Sequence, residues 1–265
     1  MATEGSGERP EQNGVTGEAE SEQPAATEEL ELTEPVEQDA PNETVEEPGP
    51  TLYQILTEMK YPPLGAALEA FIEAGLPEFK EVLAAHPLQN PENGHCSVGE
   101  AFWLYWLVKS LEPKVVIESG SLEGYSLWFL RQAAPQGSHV LAFDPHNEPA
   151  IPLDGIDFYP FDWMETNLNA LPGRETLVFF DDHFNQRVRV EQCVWRRIRH
   201  TAFHDNYTRP DQGHLPLRYA GLADLVRCQF IFPDLRCDPV FTDYETNRQA
   251  YRWLTYCEIN VGVLG

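Results

Sequence analysis

Residues 114–126 place the tightest constraint on what this chain can become. Lys114–Ser119 reads KVVIES, a short β-branched run without alternation of apolar and polar residues. Such a run suits a strand buried on both faces, as in a parallel sheet covered by helices. It passes directly into Gly120-Ser121-Leu122-Glu123-Gly124 and then into a helical pattern beginning at Tyr125. Strand, glycine turn and helix in that order make the first half of a strand–helix–strand unit.

The same alternation recurs downstream. Ser138–Asp144, Ile156–Asp162, Glu175–Asp182 and His200–Asn206 read as four further strands, with a helix over QRVRVEQCVWRRI at 186–198. Together they predict an α/β chain with a Rossmann-like doubly wound parallel sheet and right-handed crossovers. The stretch 145–155 is short and rich in Pro, so the helix of that crossover is expected to be missing. Upstream, Ser97-Val98-Gly99-Glu100 has the form of a capping box. It opens VGEAFWLYWLVKSL, which is apolar almost all round and therefore buried, with Trp103 and Trp106 in the core. Thr51–Leu83 reads as helices broken at Pro62-Pro63 and at Gly75-Leu76-Pro77. After Gly213 the pattern allows one more strand in RCQFIFPDLRCDPVF and a helix in the final 21 residues, with any closing hairpin altered or cut short. Three segments follow: a disordered acidic tail at 1–50, a helical N-terminal extension at 51–96, and the α/β domain at 97–265.

Ligands of open parallel sheets bind beyond the carboxyl ends of the strands. Glu118, Gly120, Gly124, Asp144, Asp162, Asp181, Asp182, Asp205 and Asn206 all fall at or just past predicted strand ends. The spacing Gly120-x-x-x-Gly124 is not the G-x-G-x-x-G that seats a pyrophosphate. An acid two residues before the first glycine would repel phosphate and suits a cationic ligand. Asp144 can accept hydrogen bonds from two ribose hydroxyls. Asp162 can accept from an adenine amino group, with Trp163 alongside the ring. A tight turn that binds nothing would share the glycine pattern, and an exposed loop acid would look like Asp162.

The run Ser97–Asp144 together with Phe179–Asn206 resembles the class I methyltransferases. It is nearest to the cation-dependent O-methyltransferases of the catechol and caffeoyl-CoA type. Their first strand ends in E-x-G-x-x-x-G-Y-S, and this chain has Glu118, Gly120, Gly124, Tyr125 and Ser126 at those places. Phe179-Phe180-Asp181-Asp182-His183 loosely matches the end of their fourth strand, and Asp205-Asn206 the pair ending the fifth. The resemblance implies S-adenosylmethionine as cofactor, with contacts at Glu118, Gly120, Ser126, Asp144 and Asp162. Ser121 and Gly124 of the same turn, and Trp163, complete the candidate set. It also implies a divalent cation such as Mg2+ held by Asp181, Asp205 and Asn206, and a small-molecule methyl acceptor. Hard oxygen ligands from two neighbouring strands suit Mg2+, and the metal would acidify a substrate hydroxyl. Asp181, His183 and Asp205 are thus the catalytic candidates. His183 or His204 can serve as general base, the plainer role for each being a hydrogen bond within its loop. The alanine and second acid of the related motif are lacking, which leaves open whether Asp181 or Asp182 faces a metal.

Charge narrows the partners. Residues 1–50 hold 15 acids and one base, so they carry −14 of the net −25 and leave −11 on the rest. With little apolar content, that stretch cannot offset its ordering entropy. It reads as a solubilising tail or an arm for a protein partner. An acidic folded part argues against nucleic acid, and the basic residues Arg187, Arg189, Arg196, Arg197 and Arg199 read mostly as a solvated helix face. Five cysteines without C-x-x-C spacing suggest reduced thiols. The longest apolar run, Ala101–Val108, is too short for a membrane span. With no secretory leader pattern, the cytoplasm is the expected compartment. Besides methyl transfer, two readings stay open: a non-catalytic binding or regulatory protein, and metal-assisted oxidation or hydrolysis on the same scaffold. No G-x-S-x-G elbow supports a serine hydrolase. The sequence leaves the oligomeric state unassigned.

Overall fold

Each apolar run expected to form a strand does so. The computed structural model describes residues 49–58, 63–88, 96–166, 171–204, 225–232 and 254–261, all within a unit that begins at Pro48. The strands are β1 (Val115–Ser119), β2 (His139–Phe143), β3 (Ile156–Tyr159), β4 (Thr176–Phe180), β5 (His200–Phe203), β6 (Val226–Ile231) and β7 (Thr255–Ile259). They form one sheet in the order β3-β2-β1-β4-β5-β7-β6. β1 to β5 run parallel, while β7 is antiparallel to both β5 and β6. The strand order reverses at β1, where the chain leaves towards β2 on one side while β4 pairs on the other. That reversal opens a crevice beyond the strand ends.

Alternation along the strands divides the core in two. Val116, Val140, Leu177, Phe179 and Tyr256 face one side, where they pack with α1 (Leu52–Glu58), α2 (Pro63–Ala84), α3 (Val98–Leu111) and α4 (Tyr125–Ala133). Val115, Ile117, Phe143, Val178 and Phe203 face the other, against α5 (Gln186–Trp195) through Val190, Cys193 and Val194. No helix joins β2 to β3, as the Pro-rich stretch foretold; the loop instead drops Ile151 into the first side. Among the described residues no helix is long and apolar enough to cross a membrane.

Two expectations are corrected. Helix α2 runs through Gly75-Leu76-Pro77 without a break. A proline inside a helix costs one hydrogen bond, but a Cβ on Gly75 would come within 2.8 Å of the Trp106 indole. The glycine thus serves close packing of α2 on α3 and does not end the helix. The second concerns the C-terminal segment, where a helix was expected. Thr255–Ile259 is a fully buried strand between β5 and β6, so an antiparallel closing pair is present. The strand expected in RCQFIFPDLRCDPVF forms as β6, with every second residue partly buried.

Candidate active site

The turn after β1 is shaped by contact with the turn after β4. Gly120 has φ +88°, and a Cβ there would lie 2.5 Å from the Asp181 carbonyl oxygen. Only glycine fits both the conformation and the space. Gly124, at φ +90°, opens α4 in the same way, with Ile151 closing against it. The two glycines shape the turn so that Gly120, Ser121 and Leu122 line a cleft of about 310 Å³, at the lower end of small-molecule sites. Ser121, Ser126, Asp144, Asp162, Asp181 and His183 also border it.

Glu118 lies beneath this turn with no solvent exposure, and among the described residues neither carboxyl oxygen has a hydrogen-bond partner. Burial, reinforced by the charges of Asp181 and Asp144, raises its pKa to about 8; the Ser126 and Ser121 hydroxyls oppose the shift without meeting hydrogen-bond geometry. A buried acid left without donors costs free energy that a cationic ligand would recover.

Asp144 is a brace for the turn. Its Oδ1 accepts from the amides of His146 and Asn147 at 2.8 and 2.9 Å, and its Oδ2 from the Leu122 amide at 2.8 Å. Leu122 is itself held at φ +45°, and this carboxylate is what secures it. The bidentate grip on two ribose hydroxyls expected of Asp144 is thereby reduced, because Oδ1 is already saturated. Oδ2 keeps a further lone pair towards the cleft.

Asp162 and Trp163 depart from their expected roles. Asp162 caps a 3-10 turn through the Met164 amide and grips the Arg189 guanidinium with both oxygens, at 3.2 and 2.6 Å. Trp163 is fully buried, is not among the residues lining the cleft, and donates its indole N–H to Gln192. Arg189 is the residue the sequence reading misplaced. The arginine cluster reads mostly as a solvated face, but Arg189 is only 2% exposed, bridging Asp162 and Asp182 with N···O distances of 2.6 and 2.7 Å. Helical spacing held the signal: Gln186, Arg189, Val190 and Cys193 form the buried stripe of α5.

That bridge resolves the two aspartates. Asp182 is committed to Arg189, to the Ser119 hydroxyl at 2.6 Å and to the Phe184 amide at 3.1 Å. Asp181 instead faces two imidazoles, with His204 Nε2 at 3.7 Å and His183 Nε2 at 4.0 Å from Oδ1. His183 is half exposed at φ +52°, whereas His204 is buried and bonded to Glu100. Among the described residues no group of three His, Cys, Asp or Glu side chains is placed to hold a metal. Asp205 and Asn206 lie outside the described residues, so of the expected ligand trio only Asp181 is placed.

The strand order and the crevice at β1 invite comparison with solved enzymes. The chain is similar to an O-methyltransferase from Bacillus cereus in complex with S-adenosylhomocysteine (14% identity, 73% of this chain and 96% of that one, TM-score 0.48). It is also similar to one from Streptomyces achromogenes in complex with S-adenosylmethionine (14%, 68% and 88%, TM-score 0.44). A third is the S-adenosylmethionine-dependent O-methyltransferase of Thermotoga maritima (12%, 63% and 68%, TM-score 0.47). These three solved structures are O-methyltransferases. No family model and no curated protein sequence matches the chain. At these identities the likeness concerns fold and nothing finer.

Proposed function

We propose that this protein transfers a methyl group from S-adenosylmethionine to an oxygen of a small molecule. One observation carries the reading: Glu118, buried and without a hydrogen-bond donor, beneath a glycine turn that borders a cleft at the carboxyl ends of the strands. A bound cation such as the ammonium and sulfonium of this cofactor would favour the charged form of Glu118, drawing its raised pKa back down and giving the carboxylate a partner. The turn 120–124 would hold the cofactor's methionine end, with Ser121 and Ser126 as neutral partners. Asp144 Oδ2 would take one ribose hydroxyl. The bound cofactor supplies an electrophilic methyl carbon on a cationic sulfur.

For this chain's residues the remaining tasks are alignment and proton removal. The acceptor oxygen forms the new C–O bond as the C–S bond breaks, and its proton leaves to a base or to solvent. Asp181, which lines the cleft, is the described side chain suited to orient that hydroxyl, with His183 beside it. Orientation of this kind accounts for much of the rate in in-line displacement. A divalent ion on Asp181, Asp205 and Asn206 would lower the hydroxyl's pKa further; that assignment rests on the family resemblance.

Calorimetric titration with S-adenosylmethionine tests the cofactor, and transfer of a labelled methyl to a panel of hydroxylated aromatics tests the activity. Micromolar binding and labelled product are expected. Binding without product from any acceptor favours the non-catalytic reading, and no binding refutes the cofactor site. Asp205→Ala is expected to abolish transfer while changing cofactor affinity less than about threefold; unchanged transfer would remove the metal from the reading.

A further inference from the structure

Arg189, in the first turn of α5, is among the residues that line the cleft, although only 2% of it is exposed. Its Nη1 donates to Asp162 Oδ1 at 3.2 Å and to Gln192 Oε1 at 3.0 Å. Its Nη2 lies 2.6 Å from Asp162 Oδ2 and 2.7 Å from Asp182 Oδ2. Three side chains thus fix the guanidinium, and its fork in turn fixes the plane of the Asp162 carboxylate. Oδ1 also accepts from the Met164 amide at 2.9 Å, so both of its lone pairs are spent. Oδ2 has accepted only once, and the Asp162 side chain stays 35% exposed at the cleft. Phe184 lines the same cleft, with its ring centroid 4.6 Å from the Arg189 guanidinium carbon and 49% of the residue exposed. Burial of that ring under a planar guest would be favourable. Strands β1, β2 and β3 are neighbours in the sheet, so Glu118 in the first and Asp144 and Asp162 after the others succeed one another across it. A ligand with its cationic end at Glu118 and its ribose at Asp144 brings its base to Asp162.

We infer that Arg189 is a positioning residue for the nucleobase: its fork turns Asp162 Oδ2 towards the 6-amino group of adenine, and it backs the Phe184 ring on which the base stacks. A carboxylate held in this way is an acceptor only. It takes a hydrogen bond from an amine and repels a carbonyl oxygen in the same place. Stacking makes no such distinction between purines. The inference rests on the reading of the cleft as an S-adenosylmethionine site, and base preference is measured apart from binding itself.

Calorimetric titration of the full-length protein with S-adenosylmethionine and with its 6-oxo counterpart, in which hypoxanthine replaces adenine, tests this. The wild type is expected to bind the adenine compound about ten- to a hundredfold more tightly. Arg189→Lys keeps the charge but not the fork, so the preference should fall below about threefold. Phe184→Ala, at a half-exposed position, should weaken both compounds by about tenfold and leave the preference as it is. Were Arg189 to serve the fold alone, Arg189→Lys would melt at a lower temperature with its base preference intact, and that result overturns the inference. Equal binding of the two compounds by the wild type overturns it as well, as do unchanged affinities in Phe184→Ala; neither measurement needs a variant at position 189 to fold. Binding of neither compound by the wild type overturns the proposed function, and the inference with it.

Discussion

Glu118 carries a proton that an ordinary glutamate would have lost. Burial first, then the neighbouring Asp181 and Asp144, lift its pKa from 4.5 to about 8. A carboxyl whose folded pKa is raised supports the folded state fully below its unfolded value. That contribution is lost as pH rises towards the folded value. Between pH 4.5 and 8 the native chain binds the extra proton, so this group makes stability fall by up to about 1.4 kcal/mol per pH unit. Glu118→Gln should flatten that slope and leave the protein more stable than wild type at pH 8, as measured by urea unfolding across pH 5–9. Equal slopes in both proteins would mean that the carboxyl reaches solvent. The place of this acid in the turn was legible from KVVIES and the glycines. Its protonation was not, because the depth of burial depends on Ser121, Ser126 and Cys96, which only the folded chain brings around it.

Among the elements, α5 shows most clearly how pattern and chemistry can disagree. Its arginines looked like a charged face, yet the spacing that buries Val190 and Cys193 also buries Arg189. Asn185 starts the helix by accepting from the amides of Arg187 and Val188, and this fixes the rotation that turns Arg189 inward. There it ties the loop after β3 to the loop after β4. Burial is the largest single influence and raises the Asp162 pKa, but the Arg189 hydrogen bond, the Met164 amide and the charges of Arg189 and Arg196 together outweigh it, and the net shift is downward. Arg189→Met should cost about 2–3 kcal/mol, below the full figure for an enclosed pair because the Asp162 side chain stays 35% exposed. Stability owed to a lowered carboxylate pKa is present above the unfolded value of 3.8 and lost as pH falls through the folded one. The deficit of the variant should therefore shrink in acid, which denaturation at pH 7 and pH 3 will show.

For the molecule as a whole, the strand sequence was readable because each buried run is short, β-branched or aromatic, and ends in an acid. The closing antiparallel pair was not: TYCEI carries no stronger strand pattern than the residues around it, and only insertion between β5 and β6 decides its state. Likewise α2 could not be seen to continue past Pro77 until Trp106 was known to lie on Gly75. The acidic first fifty residues add charge without apolar area, and every described element lies in the unit beginning at Pro48. Deleting 1–47 should shift the melting temperature by less than about 2 °C, by scanning calorimetry; a larger drop would give that segment a role in the fold. The contact between the turns after β1 and β4 has a mechanical meaning. Because the Gly120 Cα leaves no room for a methyl group against the Asp181 peptide, the two ends of the crevice are geared together. A guest that nudges the first loop must carry the neighbouring peptide with it, so occupancy at one end sets the reach of the carboxylate at the other.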